Sequence, residues 1–141
     1  MKKWIIKTKK TTNAKIFYGR KKCANIKNIS NGNLTFEWLP QKKKKEVPLN
    51  WLLNNLIKFE KTATEVEKID TACFWSATVS NNPIDDYNLI IEVMFKDEEV
   101  AYIKNENNEL LIEWHPSKKM LSVSLEWLLK LMDKANKTLR T

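Results

Sequence analysis

The sequence contains an internal repeat, which any fold of this chain has to accommodate. Residues 34–56 and 110–132 align without a gap at an offset of 76 positions, and eleven of the twenty-three pairs are identical. Self-similarity of this length is typical of a duplicated structural unit. Further upstream, Trp4 and Trp75 fall near the starts of the two repeats, so the six tryptophans form three pairs. We therefore expect two copies of one supersecondary unit.

Each repeat has the sequence pattern of four short strands followed by one helix. Segments rich in β-branched and aromatic residues alternate with turn formers, which is typical of antiparallel strands. The predicted strands cover residues 4–8, 15–18, 23–29 and 34–39, and then residues 72–79, 88–95, 100–104 and 110–115. The predicted fold class is α+β, with two tandem ββββα units at residues 1–62 and 63–141, antiparallel sheets and two packed helices. A chain of this size is expected to form one domain with a shared core.

A leucine stripe marks the helix of each repeat. Apolar residues recur with helical spacing in residues 49–57 and again in residues 125–132. Leu53 and Leu129 occupy the same position of the repeat, so we expect both side chains to be equally buried.

The tryptophans are candidates either for the core or for stacking on a ligand. Trp38 alternates with apolar residues on one face of its strand, so we interpret it as a core residue. Trp51 and Trp127 lie beside the leucine stripes and are expected to pack between the two units. For Trp4, the sequence leaves both interpretations open.

The charge of the chain is divided unequally between the repeats. Residues 1–62 contain 15 Lys, one Arg and three Glu, a net charge of +13, whereas residues 63–141 have a net charge of −5. A basic surface attracts polyanions and gains free energy from counterion release when it neutralises phosphates. The alternative interpretation is a solvated surface without a ligand, which is common for runs of charge.

The sequence predicts no catalytic or metal site. His115 is the single histidine, and no serine or cysteine has a spacing that indicates a nucleophile paired with it. Asp85, Asp86, Glu92 and Lys96 are weakly similar to metal-dependent nuclease patterns, but the usual Glu-x-Lys spacing is missing. We interpret them as a solvated acidic surface. The prediction is therefore a protein that is not an enzyme and uses no cofactor or metal.

Cysteine usage and hydropathy indicate the compartment. Cys23 and Cys73 lack metal-site spacing and are expected to be free thiols in a reducing environment. Charged and polar residues interrupt each apolar segment well short of the ~20 residues that span a bilayer. We expect a cytoplasmic, nuclear or nucleoid-associated protein without a membrane segment or signal peptide.

Residues 116–127 resemble the end of the positive cofactor four transcriptional coactivator domain, although both glycines of that pattern are replaced. The matching residues are Pro116, Lys118, Lys119, Val123 and Trp127. Residues 40–51 repeat part of the match, and the strand count extends the resemblance to Whirly proteins and PUR repeats. The resemblance implies a pseudo-twofold, Whirly-like pair of ββββα units that binds single-stranded DNA or RNA.

The predicted nucleic-acid interface lies in the first repeat. Tyr18, two residues from Arg20, is the candidate for stacking on bases. The full predicted set is Lys7, Lys9, Lys10, Tyr18, Arg20, Lys21, Lys22, Lys42, Lys43, Lys44 and Lys45. The alternative function is a protein–protein interaction module, in which the acidic repeat of one chain contacts the basic repeat of a second copy or another protein.

Overall fold

The computed structural model describes residues 3–10, 13–30, 33–60, 74–81 and 89–139. Within these ranges the chain is α+β, with antiparallel strands and two helices. The first repeat contains β1 (Trp4–Lys10), β2 (Asn13–Tyr18), β3 (Lys21–Ser30), β4 (Asn33–Trp38), β5 (Lys45–Pro48) and α1 (Leu49–Glu60). The second repeat contains β6 (Trp75–Asn81), β7 (Leu89–Phe95), β8 (Glu98–Glu106), β9 (Glu109–Trp114), β10 (Leu121–Ser124) and α2 (Leu125–Leu139).

The strands form two five-stranded sheets that exchange one strand. Sheet 1 has the order β1-β2-β3-β4-β10, and sheet 2 has the order β6-β7-β8-β9-β5. The registers of the exchanged strands agree at the repeat offset, since Lys45 lies opposite Trp114 and Leu121 lies opposite Trp38. The exchange is therefore reciprocal, and each repeat completes the sheet of the other.

Each repeat contains five strands in the described residues, one more than the sequence predicts. The additional strands, β5 and β10, are four-residue segments directly before the helices. Four residues give too short an alternation of apolar and polar side chains to be recognised. The predicted ββββα pattern is thus corrected to βββββα.

Equivalent residues of the two repeats meet in the centre of the molecule. The rings of Trp38 and Trp114 stack with their centroids 4.8 Å apart and their planes at 16°. Each residue is only 1% exposed, which confirms that Trp38 belongs to the core. Gln41 and Ser117 exchange two backbone hydrogen bonds of 3.0 Å. Both pairs join positions that are 76 residues apart, so the two repeats face each other at matching points.

Two further tryptophans join the sheets. The indole N–H of Trp4 in β1 donates a 3.1 Å hydrogen bond to the Glu46 carbonyl in β5. The indole N–H of Trp75 in β6 donates a 2.9 Å hydrogen bond to the Ser122 carbonyl in β10. Each bond links the first strand of one sheet to the exchanged strand at the edge of the other. Trp4 is therefore a half-buried structural residue.

The helix tryptophans contact residues of their own repeats. The ring centroid of Trp51 is 6.5 Å from that of Trp4, and the centroid of Trp127 is 5.9 Å from that of Trp75. In these ring contacts both indoles lie against the first strand of their own repeat, and packing of Trp51 and Trp127 between the repeats stays a prediction. The helices α1 and α2 do contact each other.

The buried stripe of α1 is narrower than expected. Leu49, Leu52 and Leu56 are at most 1% exposed, whereas Leu53 is only half-buried. Leu129 is buried, so the expectation of equal burial is wrong for Leu53, which lies at the flank of its stripe. Neither described helix is long and apolar enough to cross a membrane.

Candidate nucleic-acid interface

The turn between β2 and β3 presents three basic side chains. Gly19 has a φ of 64°, in the left-handed region that glycine adopts without steric penalty. Its N–H donates a 2.9 Å hydrogen bond to the Lys3 carbonyl. Arg20, Lys21 and Lys22 follow and are exposed. The tight turn therefore groups three cations at one end of sheet 1.

The loop between β4 and β5 lies beside this turn. Buried Cys23 links the two segments, since its Sγ is 3.6 Å from the Lys21 carbonyl oxygen and 3.9 Å from Gln41 Oε1. Burial raises the pKa of the Cys23 thiol, which favours the neutral hydrogen-bonding form. Residues 42–44 follow Gln41 and are exposed. Cys73 lies outside the described residues.

Tyr18 lies at the same end of sheet 1, with its ring partly covered. Its centroid is 4.8 Å from that of Trp4, and the Lys45 Nζ lies 5.3 Å from the Tyr18 centroid. A base that stacks on Tyr18 has to displace this ammonium. The structure thus brings most of the predicted basic residues together, and we refer to residues 20–22 and 42–45 as the turn cluster.

The remaining predicted residues occupy a different part of sheet 1. Lys7, Lys9 and Lys10 belong to β1, which leads away from the turn cluster at about 3.3 Å per residue. Lys7 is exposed. The side chains of Lys9 and Lys10 lie outside the part that the structure describes. The predicted site is therefore two surfaces rather than one.

The equivalent turn of the second repeat has the opposite charge. Lys21 lies opposite Tyr18, and Glu98 lies opposite Phe95, so the two turns correspond at an offset of 77. At this offset Arg20, Lys21 and Lys22 correspond to Asp97, Glu98 and Glu99. At the offset of 76 that relates residues 34–56 to residues 110–132, residues 42–45 correspond to Lys118, Lys119, Met120 and Leu121. Equivalent strand connections are therefore strongly basic in the first repeat and mainly acidic in the second, although Asp97 has a positive φ and its counterpart Arg20 does not.

A groove on the outer face of sheet 1 contains residues that sequence reasoning missed. Along β2, Ala14 and Ile16 are buried, whereas Lys15 and Phe17 line the groove. Lys15 lies opposite Lys7 of β1 and opposite Asn25 of β3. The groove has a volume of about 660 Å³. We refer to it as the sheet-face groove, lined by Lys7, Lys15, Phe17, Asn25 and Lys27.

The sheet-face groove holds positive charge around an aromatic ring. The Lys7 Nζ lies 5.0 Å from the centroid of Phe17. Lys27 Nζ lies 3.3 Å from Glu37 Oε1. Within the described residues, Lys7 and Lys15 form no ion pair. Two of its three lysines are therefore free to meet an anion.

The matching face of sheet 2 neutralises its own charge. The positions of Lys15, Phe17, Asn25 and Lys27 are occupied there by Glu92, Met94, Tyr102 and Lys104. Lys104 Nζ lies 3.2 to 3.3 Å from carboxylate oxygens of Glu46, Glu106 and Glu113. Burial and the hydrogen bond to Glu113 raise the pKa of Tyr102 to about 12. Among the described residues, this face of sheet 2 therefore lacks the unpaired lysines of the sheet-face groove.

Protonation of Glu113 is expected to destabilise the fold at low pH. Burial opposes ionisation of this carboxyl, but hydrogen bonds from Tyr102 and Lys104 lower its pKa below the usual value. A carboxyl with a lowered pKa stabilises the folded state above its unfolded pKa, and this contribution is lost as the pH falls through the folded pKa. The melting temperature should therefore fall more steeply with acidification in the wild type than in Glu113→Gln. Thermal melts between neutral pH and about pH 3 measure this, and equal acid slopes would contradict the prediction.

The described residues do not assemble a nuclease-like site. Glu92 accepts a 3.2 Å hydrogen bond from Ser80, and the Lys96 ammonium lies 5.4 Å from the Phe95 centroid. Asp85 and Asp86 lie outside the described residues. His115 Nε2 is 2.8 Å from Glu99 Oε1. Among the described residues, no group of three or more His, Cys, Asp and Glu side chains could hold a metal ion.

Two basic surfaces of sheet 1, the turn cluster and the sheet-face groove, are therefore the candidates for ligand binding. Comparisons with family models, with curated proteins and with solved structures give no match.

Proposed function

We propose that the protein binds single-stranded DNA or RNA through its first repeat. The observation that carries the proposal is the reversal of charge between equivalent turns, from Arg20-Lys21-Lys22 to Asp97-Glu98-Glu99. The two turns join equivalent strands, so the basic side chains of the first turn are what would attract a polyanion to that end of the molecule. Neutralised phosphates release counterions, which favours binding at low salt.

Aromatic rings beside the lysines favour a single strand over a duplex. Lys45 lies over the ring of Tyr18, and Lys7 lies over the ring of Phe17. Unpaired bases stack on aromatic rings with about 1–3 kcal/mol per base, whereas the bases of a duplex are already stacked on each other. Cations next to such rings therefore suit an unpaired strand.

The proposal includes a pseudo-twofold, Whirly-like arrangement of the two repeats. Its support is the reciprocal exchange of β5 and β10 and the stacking of Trp38 on Trp114. In this arrangement the second repeat is the structural half. It completes sheet 1 with β10 and leaves the binding surfaces to the first repeat.

Titration of a fluorescently labelled single strand tests the proposal. At low salt the anisotropy should rise to saturation, and log affinity should fall with log salt by about 0.7 for each phosphate contacted. An unlabelled duplex of the same length and sequence should compete less well than the unlabelled single strand. If no single strand binds at low salt, the proposal is wrong and the interaction module takes its place. Concentration-dependent self-association in sedimentation would then be the expected behaviour.

A further inference from the structure

We propose that the sheet-face groove binds one unpaired nucleobase, stacked on Phe17 and hydrogen-bonded to Asn25. The inference rests on the proposed function and extends it, because it assigns base contacts to residues outside the turn cluster. The groove volume of about 660 Å³ is within the usual range for small-molecule sites, roughly 300–1,000 Å³. A single base with its sugar is a ligand of that class.

Phe17 presents a ring face that a base can reach. The side chain is half-buried, and the exposed Lys7 places its ammonium 5.0 Å from the ring centroid. The ammonium covers this ring face, so a base that stacks on Phe17 has to displace the exposed Lys7 side chain. When a base stacks on the ring, the flexible Lys7 side chain moves to an adjacent phosphate.

Asn25 supplies a polar group suited to the edge of a base. It is only 8% exposed, and it lines the groove between Lys15 and Lys27. Within the described residues, its side-chain amide forms no hydrogen bond. An amide offers a donor and an acceptor side by side, which matches adjacent acceptor and donor atoms on a base edge.

Lysines on both sides of the groove are placed for the phosphates that flank the base. Lys7 and Lys15 lie opposite each other on β1 and β2, where neighbouring strands are about 4.8 Å apart. Lys27 lies beyond Asn25 and is held by Glu37 at 3.3 Å. The matching face of sheet 2 has Met94 for Phe17 and Tyr102 for Asn25, so these described residues do not repeat the subsite there.

The test compares two labelled single strands of equal length and charge, one with bases and one fully abasic. Phe17→Leu removes the aromatic face, and Asn25→Ala removes the amide. Each is expected to lower affinity for the base-containing strand by about ten-fold and to leave affinity for the abasic strand unchanged. The matched control is Met94→Leu at the equivalent position of sheet 2, which should alter neither affinity. Thermal melts establish that each variant is folded.

The outcomes separate this inference from the proposed function. If the wild type binds the base-containing strand and both groove variants bind it equally well, the groove holds no base and the proposed function stands. Equal losses on the two strands would also overturn the inference, because a base contact cannot weaken binding to an abasic strand. If the wild type binds neither strand, the proposed function and the inference are both wrong.

Discussion

Replacement of residues 42–45 with alanine is expected to weaken single-strand binding by roughly ten-fold or more. The variant loses four lysines, and each exposed ion pair with a phosphate contributes about 0.2–1 kcal/mol. The salt dependence should become shallower by up to about 0.7 for each phosphate that the variant no longer neutralises. The variant also removes an ion pair within the protein, since Lys44 Nζ lies 3.6 Å from Glu113 Oε1. Lys104 remains as a partner of that carboxylate. Anisotropy titrations at several salt concentrations measure both effects.

The second repeat supplies a matched control for this prediction. Lys42 and Lys43 align with Lys118 and Lys119, so two double alanine variants remove the same charge from equivalent positions. The change at Lys42 and Lys43 should be the more damaging. A larger loss of affinity from the change at Lys118 and Lys119 would contradict the placement of the interface in the first repeat.

Removal of either central tryptophan ring is expected to lower the free energy of unfolding by about 3–5 kcal/mol. Trp38 and Trp114 are each 1% exposed, and their rings stack 4.8 Å apart. Their indole N–H groups have no hydrogen-bond partner among the described residues, so the expected loss comes from packing. The double alanine variant should cost less than the sum of the two single variants, because the first substitution already breaks the stack.

Urea unfolding of the alanine variants measures this decrease in stability. Trp38→Phe is the control, because it keeps an aromatic ring and removes the unpaired N–H. Its cost should be smaller than that of Trp38→Ala. Costs below about 1 kcal/mol for both single alanine variants would show that the stacked pair is not central to the core.

The repeat and its main elements could be predicted because their signals are local. The predicted strand at residues 34–39 corresponds to β4 (Asn33–Trp38), and that at 110–115 corresponds to β9 (Glu109–Trp114). Both strands have alternating apolar residues, and the leucines of the segments that form α1 and α2 recur with helical spacing. These patterns depend on neighbouring residues alone, so a single sequence contains them.

The exchanged strands could not be predicted in the same way. Strand β5 (Lys45–Pro48) is four residues long and pairs with β9, more than sixty residues later in the chain. Its conformation is fixed by a partner in the other repeat rather than by its own alternation. Long-range pairing of this kind leaves little trace in a short segment.

The sheet-face groove is hard to predict from the sequence for a related reason. Runs of consecutive basic residues indicate a binding surface, whereas Lys7, Lys15 and Lys27 are far apart in the chain. They share one face only through the registers of β1, β2 and β3. The sequence does contain one indication of the groove, because Lys15 and Phe17 alternate with apolar residues in β2. The turn cluster is easier to predict, because each of its two segments is continuous.

Exchange of the charged residues between the β2–β3 turn and the β7–β8 turn tests the central claim most directly. It transfers the basic residues from the first repeat to the second and leaves the net charge of the protein unchanged. The variant combines Arg20→Asp, Lys21→Glu, Lys22→Glu, Asp97→Arg, Glu98→Lys and Glu99→Lys, and its formal net charge stays at +8. We expect its affinity for a labelled single strand at low salt to be at least roughly ten-fold below that of the wild type, since three phosphate contacts beside residues 42–45 are replaced by repulsion. Wild-type affinity in this variant would show that net charge alone attracts the strand, and would contradict an interface built on the first repeat.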